Sequence, residues 1–125
     1  MQKILLVVLG GAFGTSLRYL FSSLIYSVIK EPSFPYANLV INVSGCFLIG
    51  LFAEFFEARM LVSPAIRTAL LTGVLGGYTT FSSFSYETYL LLRDGETGLA
   101  LLNVSMSVAL GLAAVWAGMR VAQVL

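Results

Sequence analysis

The sequence predicts an all-α integral membrane protein of four transmembrane helices, with the third helix broken at mid-membrane. Three observations carry that prediction. Of the 125 residues, 58% are hydrophobic and only 10% charged, and the mean hydropathy of +0.93 excludes an ordinary soluble domain. A helix crossing about 30 Å of hydrocarbon needs roughly 20 mostly apolar residues, and four stretches qualify: Ile4–Ile29, Tyr36–Phe56, Ala65–Leu92 and Gly98–Val124. The third stretch carries Gly73, Gly76 and Gly77 followed by Thr79 and Thr80, a run with little helical preference. Together the four spans make one domain over residues 1–125 of a multi-pass protein of the cell (inner) membrane.

Composition removes most other functions. Net charge is +1, from seven Lys and Arg against six Asp and Glu, so no basic field attracts nucleic acid. Histidine is absent and Cys46 is the single cysteine, which excludes disulfide frameworks, Cys/His metal clusters and imidazole-based catalysis. An enzyme is not expected.

The first span continues the apolar pattern past the length of a signal peptide, so it reads as a retained helix. Arg18 lies about 21 Å along it from Ile4, near its middle, and an ionisable group at that depth is a functional-site hypothesis by default. Steps of four give a stripe of Gly10, Gly14, Arg18 and Ser22. Two readings stay open. Either the glycines form a packing face and Arg18 reaches a headgroup or a carboxylate, or Arg18 faces a water-filled vestibule and offers positive potential to an anion.

Lys30, Glu31, Pro32 and Pro35 punctuate the chain before the second span. There Asn38 and Asn42 stand four apart on one face that Gly45 and Ile49 continue. An amide in hydrocarbon needs partners; a lone asparagine would be interhelical glue. A second polar stripe on the fourth span, Asn103 and Ser107 with Gly111 beyond, suggests instead a wet path between the two.

Before the third span, Ser63 is placed to cap a helix whose first residue is Pro64. A helix broken at membrane depth is tolerated where it is buried in protein or lines a cavity, and its freed carbonyls suit a small hard cation. The alternative is that the glycines only permit close packing. Past the break, Phe81 and Phe84 are three apart and share a face, with Ser82 and Ser85 beside them. A ring has a negative face and a positive edge, so inward-turned edges can solvate an anion without a formal charge; the plainer use is core or lipid contact. Glu87 either snorkels or pairs with an arginine, and Arg18 is the expected partner in a structural pair. Arg93, Asp94, Gly95 and Glu96 then mark the turn into the fourth span.

The run from Thr72 to Glu87, reading Gly-Gly-x-Thr-Thr-Phe-Ser-x-Phe-Ser-x-Glu from Gly76, resembles the Fluc (CrcB) fluoride channels. So do Gly10 to Gly14 with Arg18 and Tyr19, and Phe34-Pro35 with Asn42 and Gly45. The likeness covers essentially the whole chain. It implies an antiparallel, dual-topology homodimer in the lipid bilayer, with two pores at the subunit interface that pass fluoride and reject chloride. It further implies a structural sodium ion on the dimer axis, held by main-chain carbonyls of Gly76 and Thr79. Phe81 and Phe84 match the pore-lining phenylalanines, Asn42 the pore asparagine and Ser82 the hydroxyl beside the first phenylalanine. Arg18 matches the first-helix arginine near the aqueous mouth, and Glu87 the glutamate that closes the motif. Ser107 matches directly on the fourth helix, whereas Asn38 stands in for a pore-side hydroxyl, and Asn103 and Gly111 stand where some members carry a tyrosine and a second serine.

The charge pattern agrees with dual topology: Lys3, Arg59, Arg67 and Arg120 fall at one side against Lys30 and Arg93 at the other, a weak bias. Rival classes fit less well. A small multidrug-type antiporter needs a carboxylate in the first helix, where this chain has Arg18. An intramembrane hydrolase built on Ser82 to Ser85 would lack a base. A non-catalytic assembly subunit would use the polar stripes as glue, and a flux assay separates it from a channel.

Overall fold

The computed structural model describes residues 1–59 and 62–125, and all regular structure among them is helical. Helix α1 spans Gln2–Val28 and α2 spans Tyr36–Arg59. The third stretch is divided. Pro64 opens α3 (Pro64–Thr68), and the Ser63 hydroxyl accepts the Ile66 N–H at 3.4 Å, as the cap spacing predicts. The backbone then widens into a π-helix over Ala69–Leu75 and returns to a single turn, α4 (Gly76–Tyr78). Thr79 and Thr80 are extended, at φ −86°, ψ 160° and φ −152°, ψ 119°. Helix α5 (Phe81–Arg93) resumes beyond them, and α6 (Thr97–Val124) closes the chain. Gly95, at φ +81°, makes the turn between the last two. Its N–H donates to the Leu92 carbonyl at 3.1 Å and that of Glu96 to Leu91 at 2.8 Å, closing α5 on a left-handed residue that only glycine adopts freely.

Helices α1, α2 and α6 are each long and apolar enough to cross a membrane, and their ends lie within three residues of the expected spans. The interrupted segment occupies the expected third stretch, so the glycine and threonine run breaks the helix where its composition says it should. The π-helical run has no counterpart in the sequence expectation. Such geometry is rare outside single turns and concentrates at functional sites.

Small residues set the packing. Helices α2 and α6 lie against each other, with Gly50 on the backbone of Val115 and Gly118 on the carbonyl of Phe47. Helix α1 lies against the π-helix and α4. There the contact is backbone on backbone: a Cβ added to Gly10 would sit 2.7 Å from the Ala69 carbonyl oxygen, and one on Gly77 would sit 2.6 Å from that of Gly11. Gly14 is buried on Val74 and Tyr78 in the same way. The packing-face reading of Gly10 and Gly14 therefore describes this contact, which brings two backbones together as glycines do between membrane helices.

The buried core is small, comprising Ile41, Ala37, Phe34, Leu75, Tyr78, Ala100, Ala122, Thr80 and Asn103 among the described residues. The chain exposes 7945 Å², against about 6,500 Å² for a compact soluble chain of this mass. Much of the excess is apolar side chain on α1 and α6, as expected when the solvent is lipid.

Candidate functional site

The site is built around the break. Where α4 stops, the side chain of Asn42 on α2 takes over as a partner for the open peptide. Its Oδ1 accepts the Thr80 N–H at 2.8 Å, and its Nδ2 donates to the Thr80 carbonyl at 3.1 Å. Thr80 in turn caps α5, its Oγ1 accepting the Ser83 N–H at 3.2 Å and lying 3.3 Å from the Ser82 hydroxyl. Thr79 bends back, its N–H and its hydroxyl both donating to the Leu75 carbonyl. Tyr78 anchors the segment to α2 by a 2.9 Å bond between its hydroxyl and Ser44.

Below this frame opens a cavity of about 350 Å³. It gathers residues that the sequence assigned to different stripes: Asn42 from α2, Gly76 and Thr79 from the break, Phe81 and Phe84 from α5, and Ser107 from α6. The two rings stand 5.6 Å apart at 43°, on one face as their spacing predicts. Phe81 is 79% exposed, so on this side the cavity has no outer wall within the chain. Gly76 faces the same way, since a Cβ placed on it would meet nothing within 4 Å.

A second cavity of about 420 Å³ lies between α1, α2 and α5. It holds Arg18, Asn38 and Glu87 together with Thr15, Ser22, Ser83 and Tyr86. The expected Arg18–Glu87 pair is not formed: the ion pairs among the described residues are Arg67–Glu57 and Arg93–Asp94. Asn38 and Glu87 line this cavity together, and the Glu87 Oε2 is buried without a hydrogen-bond partner.

Two predicted residues stand apart from both cavities. Ser82 is exposed beside Thr80. Asn103 is buried at 2% exposure, behind the wall of the first cavity. Its Nδ2 donates to the Thr88 hydroxyl at 2.9 Å, and its Oδ1 accepts from Ser107 at 3.5 Å, so it supports Ser107 from behind. Thr88 donates onward to the Phe84 carbonyl at 2.7 Å, which ties α6 to the phenylalanine turn.

Sequence reasoning took Thr80 only as a weak helix former. Its capping role carried a signal, a threonine three residues before Ser83 at a helix start. Thr88 carried none, because its importance depends on Asn103 arriving from another helix.

Among the described residues no group of three His, Cys, Asp or Glu is placed to hold a metal ion.

Comparison with known proteins gives a consistent result. Residues 5–119 match the family model described as CrcB-like protein, Camphor Resistance (CrcB). A protein of Flavobacterium psychrophilum is 45% identical over 123 residues, covering 98% of each chain. One of Acidobacterium capsulatum is 49% identical over 120 residues, covering 96% of this chain and 95% of its own. A third, of Solibacter usitatus, is 48% identical over 122 residues, covering 98% and 99%. All three carry the name fluoride-specific ion channel FluC.

Proposed function

This chain belongs to the CrcB family, and on that premise we propose that it is a fluoride-selective channel that lets fluoride leave the cell passively. The observation that carries the reading is the first cavity, where Asn42, Phe81, Phe84 and Ser107 converge with no formally charged side chain among them.

The chemistry calls for such a lining. Hydrogen fluoride crosses membranes as a neutral weak acid and dissociates in a less acidic cytoplasm, so fluoride accumulates and needs only a passive exit. Fluoride is small and strongly hydrated. A pore must replace its water with other donors, and must hold it weakly enough to release it. The remaining Nδ2–H of Asn42 and the positive edges of Phe81 and Phe84 can do this without a fixed charge that would trap the ion, joined by the Ser107 hydroxyl when it turns from Asn103. The exposed Ser82 hydroxyl and the buried Asn103, acting through Ser107, complete the polar set. Arg18 in the neighbouring cavity raises local anion concentration at the mouth, with Asn38 and Glu87 beside it.

In this reading the interrupted segment is the fourth crossing, and two chains insert in opposite orientations in the cell inner membrane to form a homodimer. The exposed Phe81 ring and the unobstructed face of Gly76 support it, since a second copy would supply the missing wall. Each dimer then carries two pores.

The residues also fit a structural sodium ion. In a continuous helix the Gly76 carbonyl would accept the Thr80 N–H, and the Thr79 carbonyl that of Ser83. Both donors are committed elsewhere, to Asn42 and to the Thr80 hydroxyl. Two neutral carbonyls are thereby left for a hard cation. Sodium bound there supplies a fixed positive charge at the break and is not itself transported.

The test is fluoride efflux from liposomes holding the purified protein, read with a fluoride electrode beside a chloride control, with potassium and valinomycin setting the voltage. Fast fluoride release with chloride retained is the expected result. Folded protein that releases neither ion would overturn the reading.

A further inference from the structure

Asn42 lines the first cavity, yet most of its hydrogen-bonding capacity is directed away from it. Its amide pairs edge to edge with the backbone of Thr80, taking both the N–H and the C=O of a residue whose backbone is extended at φ −152°. A side-chain amide pairing with both polar groups of one residue mimics a rung of a β-ladder. One Nδ2–H is left over, and its direction is fixed by the other two bonds.

From this arrangement we infer that Asn42 is the positioning residue of the break: it diverts the Thr80 N–H from the Gly76 carbonyl, and so holds both that carbonyl and the start of the Phe81–Phe84 turn in place. The inference rests on the channel reading above, and adds to it a role distinct from that of an ion ligand.

Two acceptors compete for the Thr80 N–H, the Asn42 side chain and the Gly76 carbonyl. With Asn42 absent, the Thr80 N–H and C=O would be stranded where water is scarce, an expensive condition in a membrane. The nearest remedy is the ordinary helical bond from Thr80 N–H to Gly76, four residues back. Forming it would close α4 into α5, remove the free Gly76 carbonyl and turn Phe81, the first residue of α5, about the helix axis. Asn42 prevents this from outside the segment, across 38 positions of sequence. Gly45, one turn further along α2, packs on the Thr79 methyl and keeps the helix close enough for the amide to reach.

The experiment compares wild type, Asn42→Ala and Asn42→Asp in lipid nanodiscs, reading hydrogen–deuterium exchange at the Thr80 amide, and fluoride efflux in parallel. In Asn42→Ala the Thr80 amide should exchange about tenfold or more faster than in wild type, or else acquire a helical shift signature if it rebonds to Gly76. Asn42→Asp, compared at a pH that keeps the new carboxyl protonated, retains both an acceptor for the Thr80 N–H and an O–H donor for its carbonyl, and should retain Thr80 protection to within about threefold. It decides the matter alone if the alanine variant is not recovered folded. Efflux lost in Asn42→Ala, with Thr80 exchange and shifts unchanged, would overturn the inference and leave Asn42 as a simple ion ligand. Exchange in Asn42→Asp as fast as in Asn42→Ala would overturn it too. Absent fluoride efflux in wild type would sink the channel reading only, because exchange at Thr80 is read without fluoride.

Discussion

The two cavities are neighbours across α2 and differ in kind. The one beneath Phe81 and Phe84 is lined by rings, aliphatic side chains, hydroxyls and the Asn42 amide, whereas the one at Arg18 holds a guanidinium and a carboxylate. The difference separates two tasks that a single charged pore would confuse. A fixed charge gathers ions from a distance but holds them once they arrive. Neutral donors do little at range, yet they let a dehydrated ion move on. In the channel proposed above, the charge stands one cavity away from the constriction, which allows both.

The comparison breaks most severely at the rings. Phe81→Ala or Phe84→Ala should cut fluoride efflux from liposomes by roughly 100-fold, since each deletes an edge and opens the lining to water. An unchanged rate would mean that the neutral cavity is not the route. Asn103→Ala comes next: it removes the support of Ser107 and the bond to Thr88, and should lower thermal stability by about 1–3 kcal/mol, with a several-fold drop in efflux. A melting curve in detergent beside the flux assay checks both. Arg18→Gln should reduce efflux about threefold at low ionic strength and hardly at all in high salt, because its contribution is electrostatic and screened. A salt-independent loss would place Arg18 at the constriction. Glu87→Gln should be the mildest, leaving the melting temperature nearly unchanged, because there is no Arg18 ion pair to break. Severing a buried pair would instead cost about 3–5 kcal/mol.

Much of the scaffold was legible in the chain. The long apolar runs located α1, α2 and α6 closely, because only hydrocarbon length and polarity decide them. The break followed from Gly76, Gly77, Thr79 and Thr80, and the cap at Ser63 from Pro64 beside it. The π-helix was not legible. It lies where α1 is pressed backbone to backbone against Gly73 and Gly77, and a local sequence carries no record of such a contact. Arg18 and Glu87 were matched by charge alone, and charge does not say whether two groups that line one cavity come within ion-pair distance. Asn103 was read as one half of a polar stripe, a pattern identical for a residue facing water and one tucked behind Ser107. Helical spacing gives the face of a helix, and only its neighbours decide whether that face is wet.

The open carbonyls at Gly76 and Thr79 also bear on how such a protein is made. A chain released singly into the bilayer carries uncompensated peptide oxygen at a depth where each stranded group costs several kcal/mol. Separating the proposed dimer, with the cation proposed at its axis, would restore that cost in every copy. For the proposed dimer, dilution with excess lipid should therefore fail to dissociate it, and chains produced in shortage of a companion should be the ones cleared by membrane proteases.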